Sequence, residues 1–376
     1  MKYATLNPIA EAGLSKFPAS YEKTDNVDEA EAILVRSAVM HEMTFSDRLL
    51  AIGRAGAGVN NIPVDLCREK GIVVFNTPGA NAHGVKELTL AALLLASRDI
   101  KGGMKWVDDN RYDENIGKSM EKAKKAYAGT EIAGKTLGVI GLGAIGFLVA
   151  NAAVSLGMKV VGFDLYLSDY AKHNLDPAVK LVTLDELYAA SDFVTVHVPE
   201  LESTKGMLGK EAFAKMKDGA VVLNLARPGL VNEADLSEAL ASGKIRKYVT
   251  DVPSFKTANL ENVIAFPHLG ASTEEAEENC AVMAAAELTD FLENGNIKNS
   301  VNFPAVSLGE KAGTRVSVIF DETKLSAEEA ENLLPAKQKK AAAKNGFGYA
   351  LFETDAVPDA GALSGKDGVV RVRVIS

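Results

Sequence analysis

Three glycines and one aspartate of the chain have the types and the spacing to bind a dinucleotide. The segment 138–146, GVIGLGAIG, carries Gly141, Gly143 and Gly146 in GxGxxG spacing, and Asp164 lies roughly 20 residues further on. An apolar run precedes the glycines and a helical pattern follows them, which is the context in which such glycines let the backbone approach a pyrophosphate. Asp164 would bind a ribose 2′-hydroxyl and repel a 2′-phosphate. The pattern predicts an NAD site rather than an NADP site; the alternative is a plain glycine turn beside an exposed aspartate.

Further polar residues follow apolar runs in the same half of the chain. The residues at the ends of these runs are Asp164, His197, Arg227, Asp251 and His268. Ligands of open α/β sheets bind outside the carboxyl ends of the strands, so we expect these side chains to share one edge. A guanidinium can hold a carboxylate with two hydrogen bonds, and an imidazole exchanges protons near neutral pH. This set of residues suits hydride transfer assisted by a general base.

Both histidines also have a simpler interpretation. His268, in the segment AFPHLGAST (265–273), could cap a strand end, and His197, in a HVP segment, could shape a cofactor loop without moving protons. Arg227 follows an apolar run, and a partly buried arginine usually has a partner, which favours a binding role for it.

These residues need two sheets and a connecting region to position them. Short apolar runs alternate with helical or loop segments over the first hundred residues and again from 136 to 267, which is the pattern of parallel βαβ units. The charged stretch 108–128 is expected to connect the two regions. Beyond about residue 301 the pattern changes to a strand at 313–322, a helix at 326–343 and strands at 349–355 and 368–376. The Lys-rich segment KQKKAAAK is expected to be a solvated helix face.

Composition limits the class of protein. The length of 376 residues predicts two or three domains, and the net charge of −9 argues against nucleic-acid binding. We expect no signal peptide, since no continuous apolar region follows Lys2, and no membrane span, since LTLAALLLA (88–96) is too short. Cys67 and Cys280 lie far apart and predict reduced core thiols rather than a disulfide or metal site. These features predict a cytoplasmic protein.

Six segments resemble the D-isomer-specific 2-hydroxyacid dehydrogenases over residues 1 to about 302. The matching segments are VRSA (35–38), GRAGAGVNNI (53–62), FNTPGANAHGVKEL (75–88), KTLGVIGLGAIG (135–146), NLARPGLVNEADL (224–236) and PHLGASTEEAEE (267–278). The resemblance implies a flavodoxin-like substrate domain at 1–98 and 270–302, a Rossmann-type NAD-binding domain at 99–269, and a small α+β domain, similar to the ACT regulatory domain, at 303–376.

The resemblance also assigns roles to individual residues. It implies that His268 is the acid–base group and that Arg227 binds the substrate carboxylate and carbonyl. The implied NAD-binding residues are Gly141, Gly143, Ala144, Ile145, Gly146, Asp164, His197, Val198, Pro199, Thr204, Ala226, Asp251 and Gly270. The implied substrate-binding residues are Arg36, Ser37, Arg54, Gly58, Val59, Asn60 and Asn81. Asp251 is expected to hold the nicotinamide carboxamide, and Arg36 and Arg54 are expected near a phosphate; Arg54 could instead be a surface salt-bridge partner.

The chain departs from the family pattern at the catalytic carboxylate. A family phrase like DVFxxEP supplies a glutamate that orients the histidine, whereas this chain has DVPSFKTANLENV (251–263), with Lys256 near that place. Either Glu261 or Asp251 substitutes for the glutamate, or His268 works without a partner. An imidazole without a carboxylate and near a cation favours its base form, and so favours alcohol oxidation.

Smaller departures concern the cofactor turn, the arginine loop and the last domain. Pro228 stands where glycine is usual, Ala144 stands where an arginine is common, and the loop DETKLSAEE lacks the glycine and asparagine with which ACT domains often bind amino acids. Serine feedback is therefore not expected, and a dimer-stabilising or vestigial role is at least as good an interpretation.

The HLGAST segment is more typical of the family members that act on 3-phosphoglycerate than of lactate- or formate-type members. The resulting hypothesis is NAD-dependent oxidation of 3-phospho-D-glycerate to 3-phosphohydroxypyruvate, the first step of L-serine biosynthesis. Two alternatives stay open: another D-2-hydroxyacid dehydrogenase, and an NAD-binding regulatory protein without turnover. The expected partners are a small-molecule substrate and a second copy of the chain, as a homodimer or homotetramer, with no metal, nucleic acid or membrane.

Overall fold

A computed structural model describes residues 1–355 and 359–376. The chain forms two compact units: the first contains Met1–Asn81 and Glu274–Ser376, and the second contains Ala82–Thr273. The first unit is thus built from both ends of the chain.

The strands are numbered in chain order. They are β1 (Lys2–Thr5), β2 (Glu22–Lys23), β3 (Ala32–Val35), β4 (Ala51–Arg54), β5 (Val73–Phe75), β6 (Thr136–Ile140), β7 (Lys159–Phe163), β8 (Lys180–Leu181), β9 (Phe193–Val196), β10 (Ala220–Asn224), β11 (Ile245–Thr250), β12 (Val263–Ala265), β13 (Thr314–Asp321), β14 (Gln338–Lys344), β15 (Phe347–Thr354) and β16 (Val369–Ile375).

The helices are numbered in the same way. They are α1 (Glu11–Leu14), α2 (Val64–Glu69), α3 (Ala82–Ser97), α4 (Ile100–Asn110), α5 (Ile116–Ala123), α6 (Gly146–Ser155), α7 (Asp169–Asn174), α8 (Leu184–Ala190), α9 (Lys210–Lys215), α10 (Glu233–Ala241), α11 (Phe255–Ala258), α12 (Glu274–Asn294), α13 (Ala327–Glu331) and α14 (Ala360–Ser364), with short 3-10 turns at Val27–Glu29, Lys124–Tyr127 and Pro228–Leu230.

The first unit contains a five-stranded parallel sheet in the order β2-β1-β3-β4-β5. This is the 2-1-3-4-5 order of flavodoxin-like sheets, in which ligands bind at the carboxyl ends of the strands. Strand β3 is buried along its whole length, because helices cover both faces of such a sheet and its central strands become continuous apolar runs.

The second unit contains a seven-stranded parallel sheet in the order β12-β11-β10-β9-β6-β7-β8. Counted from β6, this is the Rossmann order 3-2-1-4-5-6 with one added strand at the β12 edge. The predicted α/β fold with parallel sheets is confirmed.

Helix α3 belongs to the second unit, although the resemblance assigned it to the substrate domain. Its buried residues Val85, Leu93 and Ala96 lie in one apolar cluster with Leu137 and Val249 of the seven-stranded sheet. Helix α3 packs on the seven-stranded sheet because this sheet covers the apolar face of the helix. The stretch expected to connect the domains is largely helical, as α4, α5 and a 3-10 turn.

The C-terminal residues form a four-stranded antiparallel sheet in the order β14-β15-β13-β16, with α13 and α14 as crossovers. This is the βαββαβ ferredoxin-like arrangement. The prediction of a helix at 326–343 is wrong beyond Glu331. Residues 338–344 of the Lys-rich segment form strand β14 instead. Alanine and lysine favour helix in isolation, but pairing along β15 overrides that local preference.

Both cysteines are buried free thiols, and burial raises the pKa of Cys67 to about 12. No helix within residues 1–355 and 359–376 is long and apolar enough to cross a membrane.

Candidate active site

The glycine turn after β6 is shaped by close backbone contacts. Gly141 has a φ of +85°, which favours glycine, and a Cβ on Gly146 would lie 1.8 Å from the Gly141 carbonyl oxygen. A Cβ on Gly143, in contrast, would meet nothing within 4 Å. The first and third glycines therefore allow a tight strand–helix turn, while the second leaves open space above it.

Asp164, at the end of β7, ties this turn to the neighbouring strand. One of its carboxylate oxygens accepts a hydrogen bond from the Leu142 amide at 2.7 Å, and the other accepts one from the Tyr166 amide at 2.7 Å. Gly141 also donates to the Phe163 carbonyl at 2.8 Å. The carboxylate is thereby held beside the open space over Gly143.

Helix α6 begins directly after Ala144 and Ile145, and no side chain caps its first turn. Backbone N–H groups at such a helix start bind phosphate oxygens well, because the helix dipole adds positive potential there. The open space at Gly143, the uncapped helix start and the fixed carboxylate together fit a dinucleotide.

The loop after β9 packs against the glycine turn. The His197 amide donates to the Ile140 carbonyl at 2.8 Å, and Val198 would contact a Cβ placed on Gly141. The His197 Nε2 lies 3.0 Å from the Thr195 hydroxyl, and burial lowers the pKa of His197 to about 4. His197 is therefore neutral at physiological pH and suits loop shaping rather than proton transfer.

The same loop continues through Pro199 to Thr204. The Thr204 hydroxyl donates to the Pro199 carbonyl at 2.7 Å and accepts from the Leu201 amide at 2.8 Å. These bonds close the loop that carries His197 and Val198.

Arg227 follows β10 and is half-buried. Its guanidinium donates to the Ala226 carbonyl at 2.7 Å, and no carboxylate forms an ion pair with it among the described residues. Asn224, fully buried, donates to the Arg227 carbonyl at 2.8 Å and accepts from the Ala226 amide at 3.1 Å. Pro228 starts the 3-10 turn that follows, where its fixed φ is accommodated. The guanidinium is thus held in place without a charged partner.

Asp251 and His268 meet at the ends of β11 and β12. The His268 amide donates to the Asp251 carbonyl at 2.7 Å, and the Gly270 amide donates to Asp251 Oδ2 at 3.0 Å. The Oδ1 atom of Asp251 is buried without a hydrogen-bond partner in the described structure. His268 is exposed and has a φ of +44°, a left-handed conformation that is uncommon outside glycine. A buried carboxylate oxygen and an exposed imidazole therefore lie on adjacent strand ends.

Within the described second unit, no carboxylate takes the place of the glutamate that the sequence lacks beside His268. Lys256 is exposed on the short helix α11, and Glu261 precedes β12 at the end opposite to His268. The carboxylate of Asp251 faces the Gly270 amide, and within the second unit no hydrogen bond reaches the His268 ring. Of the alternatives left open by the sequence, this arrangement favours a histidine that works without a paired carboxylate.

In the first unit, the expected substrate-binding residues lie at the end of β4 or in the segments that follow β3, β4 and β5. The Asn7 side-chain oxygen accepts hydrogen bonds from the amides of Arg36, Ser37 and Ala38 at 3.1, 3.0 and 2.9 Å. The Arg36 guanidinium lies 2.5 Å from the Glu277 carboxylate, and both side chains are partly exposed. Arg36 is therefore positioned by Asn7 and paired with an acid at the start of α12.

Arg54 and the loop behind it lie on the same side of the five-stranded sheet. Arg54 Nε donates to the Arg36 carbonyl at 3.1 Å, so the two arginines are linked through the backbone. Gly58 and Val59 are half-buried, Asn60 is exposed, and the Asn60 carbonyl lies 2.8 Å from the His41 Nε2. Asn81 is the last residue of the first unit before α3.

The structure thus gathers the expected residues in two sets, each at the carboxyl edge of its own sheet. Sequence reasoning missed three residues that position them: Asn7, Thr195 and Asn224. Of these, Asn224 had a readable signal, since it is the lone polar residue closing the apolar run AVVLN. Asn7 and Thr195 had no readable signal in the sequence, because only the folded chain shows which groups they contact.

Comparison with known proteins identifies the class. Residues 90–270 match the family model described as D-isomer specific 2-hydroxyacid dehydrogenase, NAD binding domain. The chain therefore carries the NAD-binding domain of this dehydrogenase family, in agreement with the order of its seven-stranded sheet.

Several relatives are D-3-phosphoglycerate dehydrogenases. The one from Archaeoglobus fulgidus is 37% identical over 314 residues, covering 78% of this chain and 57% of the relative. The one from Mycobacterium bovis is 36% identical over 322 residues, covering 80% of this chain and 58% of the relative. The chain thus spans between half and two thirds of the length of these curated relatives.

A solved structure gives the same similarity in three dimensions. The cofactor (NAD+) bound 3-phosphoglycerate dehydrogenase of Entamoeba histolytica superposes with a TM-score of 0.62 at 28% identity, covering 80% of this chain and 98% of that one.

Proposed function

We propose that the protein is an NAD-dependent dehydrogenase that oxidises 3-phospho-D-glycerate to 3-phosphohydroxypyruvate, the first step of L-serine biosynthesis. The observation that carries this proposal is the arrangement of Arg227, Asp251 and His268 on three adjacent strand ends of the sheet that bears the glycine turn. The relatives from Archaeoglobus and Mycobacterium are named for an enzyme of this kind.

Oxidation at C2 of the substrate removes a hydride from carbon and a proton from the hydroxyl oxygen. Bound NAD+ supplies the hydride acceptor. His268 takes the hydroxyl proton on a ring nitrogen while the C2–O bond becomes a carbonyl, and Arg227 holds the adjacent carboxylate through its guanidinium. The absence of a charged partner for Arg227 among the described residues supports this role, because the guanidinium remains available to an anion.

The cofactor contacts follow from the strand ends. Gly141, Gly143 and Gly146, with Ala144 and Ile145, cradle the pyrophosphate. Asp164 accepts from the ribose, and Asp251 Oδ1, which has no other partner in the described structure, accepts from the nicotinamide carboxamide. The loop from His197 to Thr204 and residues Ala226 and Gly270 complete the cofactor site.

Arg36 and Arg54 bind the phosphate group of the substrate, with Ser37, Gly58, Val59, Asn60 and Asn81 beside it. The Glu277 carboxylate, 2.5 Å from Arg36, is an anion already paired with this guanidinium, so a substrate phosphate would take over that place. An enzyme for an unphosphorylated 2-hydroxy acid would not depend on Arg36.

The first experiment follows NADH absorbance with 3-phosphoglycerate and NAD+, across pH, for the full chain and three variants. His268→Gln is expected to lower kcat by about 10²- to 10⁴-fold, because general-base assistance is lost. Arg227→Lys is expected to raise KM and lower kcat, because a lysine cannot bind a carboxylate in the same two-point geometry. His173→Gln, an exposed histidine elsewhere in the second unit, is the matched control and should keep wild-type rates.

Two outcomes would redirect the proposal. An additional variant, Arg36→Ala, whose KM does not rise selectively for the phosphorylated substrate would favour another D-2-hydroxyacid dehydrogenase. NAD binding without turnover in either direction would favour a non-catalytic regulatory protein, a candidate that the missing carboxylate partner of His268 supports.

We further propose that residues 303–376 are an ACT-like domain and that the protein is a cytoplasmic homodimer or homotetramer. The βαββαβ order supports the first point. The composition of the DETKLSAEE loop favours a role in dimer stability over serine binding.

A further inference from the structure

The short turn after β10 starts at Arg227 itself. Arg227 is the N-cap residue of the 3-10 turn Pro228–Leu230, and its side chain makes no capping hydrogen bond. An N-cap residue usually accepts from the first free amides through a side-chain oxygen, which a guanidinium lacks. Because Pro228 has no N–H, the first free amide of the turn belongs to Gly229. The turn therefore needs an acceptor from another part of the chain.

Glu200, in the loop after β9, supplies this acceptor. The Gly229 amide donates a hydrogen bond to Glu200 Oε2 at 3.1 Å, across 29 residues of the chain. The carboxylate lies directly against the glycine, since a Cβ on Gly229 would be 2.1 Å from Glu200 Oε1. The φ of Gly229 is not in the left-handed region, so the backbone itself would accept an alanine. Gly229 is small in order to leave room for the Glu200 carboxylate.

The contact between this loop and the turn continues along the backbone. The Gly206 amide donates to the Gly229 carbonyl at 2.8 Å, and the Leu208 amide donates to the Leu230 carbonyl at 3.0 Å. The loop after β9 is thus paired with the turn, and Glu200 extends this pairing towards the start of the turn.

The two sides of Arg227 are held by different groups. Asn224 donates to the Arg227 carbonyl at 2.8 Å, and the guanidinium donates to the Ala226 carbonyl at 2.7 Å. Glu200 fixes the amide of the second residue after Arg227. The direction in which the guanidinium leaves the turn therefore depends on Asn224 from one side and on Glu200 from the other.

We propose that Glu200 is a positioning residue for Arg227, whose carboxylate holds the turn so that the guanidinium meets the substrate carboxylate in a two-point geometry. This inference rests on the proposed function, in which Arg227 binds that carboxylate. Glu200 acts through the Gly229 amide, because a bidentate contact with a carboxylate requires the guanidinium plane to be oriented in advance.

A general role in holding the loop after β9 would have a different effect. The Thr204 hydroxyl already closes this loop through the Pro199 carbonyl and the Leu201 amide, without Glu200. Loss of Glu200 should therefore leave the cofactor contacts of the loop intact and disturb only the turn that carries Arg227. The proposal predicts a loss of affinity for a carboxylate ligand without a loss of affinity for NADH.

The test is isothermal titration calorimetry of the full chain, saturated with NADH, with oxalate as the ligand. Oxalate carries a carboxylate beside further oxygens, as a 2-keto acid does. Arg227→Lys should weaken its binding, which shows that oxalate reports on the guanidinium. Glu200→Ala should weaken oxalate binding by about three- to tenfold, since one exposed hydrogen bond to a charged acceptor is lost, and should leave the affinity for NADH unchanged.

Two variants separate the hydrogen bond from the charge. Glu200→Gln keeps an oxygen acceptor and should retain most of the wild-type affinity for oxalate. Glu238→Ala removes the same charge from an exposed position of α10 and should bind oxalate like the wild type.

Gly229→Ala tests the same contact from its other side. The added methyl group displaces the Glu200 carboxylate and should weaken oxalate binding as much as Glu200→Ala does. The double variant Glu200→Ala/Gly229→Ala should be no weaker than Glu200→Ala alone, because no carboxylate is left to displace. Circular dichroism and NADH titration check the fold of each variant.

Several results would overturn the proposal: wild-type oxalate affinity in Glu200→Ala, equal losses of NADH and oxalate affinity, no rescue by Glu200→Gln, additive losses in the double variant, or no binding of oxalate to the wild type. Turnover is measured separately. A wild type that binds oxalate but does not oxidise 3-phosphoglycerate would contradict the proposed function alone, and the oxalate affinities would still decide the role of Glu200. In an active enzyme, Glu200→Ala should raise the KM for 3-phosphoglycerate and leave the KM for NAD+ unchanged.

Discussion

At the scale of single residues, Asp164 serves the fold before any cofactor arrives. Its two oxygens hold the Leu142 and Tyr166 amides at 2.7 Å, so the carboxylate fixes the glycine turn as well as offering an acceptor for a ribose. We expect Asp164→Ala to weaken NAD binding by about tenfold or more, because a charged acceptor is lost, and to narrow the preference for NAD over NADP.

Intrinsic fluorescence quenching by NADH and NADPH measures both effects. Asp169→Ala, at the exposed start of α7, is the control. An unchanged ratio of NADH to NADPH affinity in Asp164→Ala would show that Asp164 does not select the cofactor.

His197 should not titrate in the physiological range, because burial lowers its pKa to about 4. Because the unfolded chain takes up a proton on His197 near pH 6.5 and the folded chain only near pH 4, the free energy of unfolding falls as the pH drops from about 6.5 towards 4. Above pH 6.5 the ring is neutral in both states and causes no such loss. We expect the His197 ring resonances in NMR spectra to stay constant between pH 5 and pH 8. The exposed His173 ring provides the comparison, and a His197 midpoint near 6.5 would contradict the prediction.

The pKa of Glu287 is raised on folding, whereas that of His197 is lowered. Its pKa rises from 4.5 to about 7 on folding, so its contribution to stability is complete below pH 4.5 and is lost as the pH rises through 7. Glu287→Gln, which cannot ionise, should therefore gain stability relative to the wild type between pH 5 and pH 8. Urea denaturation at the two pH values measures this difference, and Glu278→Gln should show no such trend.

At the scale of elements, helices α4 and α5 contain no buried residue although they carry large apolar side chains. Met104 is 65% exposed, Val107 50% and Met120 49%, with Tyr112 between the helices at 86%. We propose that these exposed apolar side chains form an association surface. The proposed homo-oligomer would cover them.

We expect Met104→Gln combined with Val107→Gln to shift the protein towards monomer in size-exclusion chromatography with light scattering. The matched pair Lys101→Gln and Asp108→Asn changes exposed polar residues of the same helix and should leave the mass unchanged. A wild-type protein that is already monomeric would rule out this surface as the interface.

At the scale of the whole molecule, the C-terminal sheet shares an apolar core with helix α12 of the same unit. Ile319, Tyr349 and Leu351 lie in one apolar cluster with Leu288 and Phe291 of α12, and the Tyr349 hydroxyl donates to the Gly295 carbonyl at 2.6 Å. Strand β16 adds polar contacts through two arginines. This sheet therefore contributes to the stability of the first unit.

Arg371 donates to the carbonyls of Leu49 and Asp47 at 2.6 and 2.7 Å. Arg371→Gln should lower the free energy of unfolding of the first unit by about 1–3 kcal/mol, because these hydrogen bonds are lost. Urea denaturation measures the change, with the exposed Arg48→Gln as the control. A C-terminal transition that shifts alone would show that the two parts fold independently.

Local sequence patterns were sufficient to predict the parallel sheets and the strand ends that carry Asp164, His197, Arg227 and His268. Apolar runs of strand length, glycine turns and helical spacing are properties of neighbouring residues, and parallel pairing brings their carboxyl ends to one edge. The missing carboxylate was also readable, because the DVPSFKTANLENV segment contains no acid at the required place.

Contacts between distant parts of the chain decided the features that local patterns did not predict. Pairing with β15 made a strand of the Lys-rich segment, a shared apolar face drew α3 to the second unit, and Asn7 found the Arg36 loop about thirty residues away. The low pKa of His197 and the raised pKa of Glu287 likewise come from burial. Burial is set by the packing of whole elements, which single-sequence patterns do not contain.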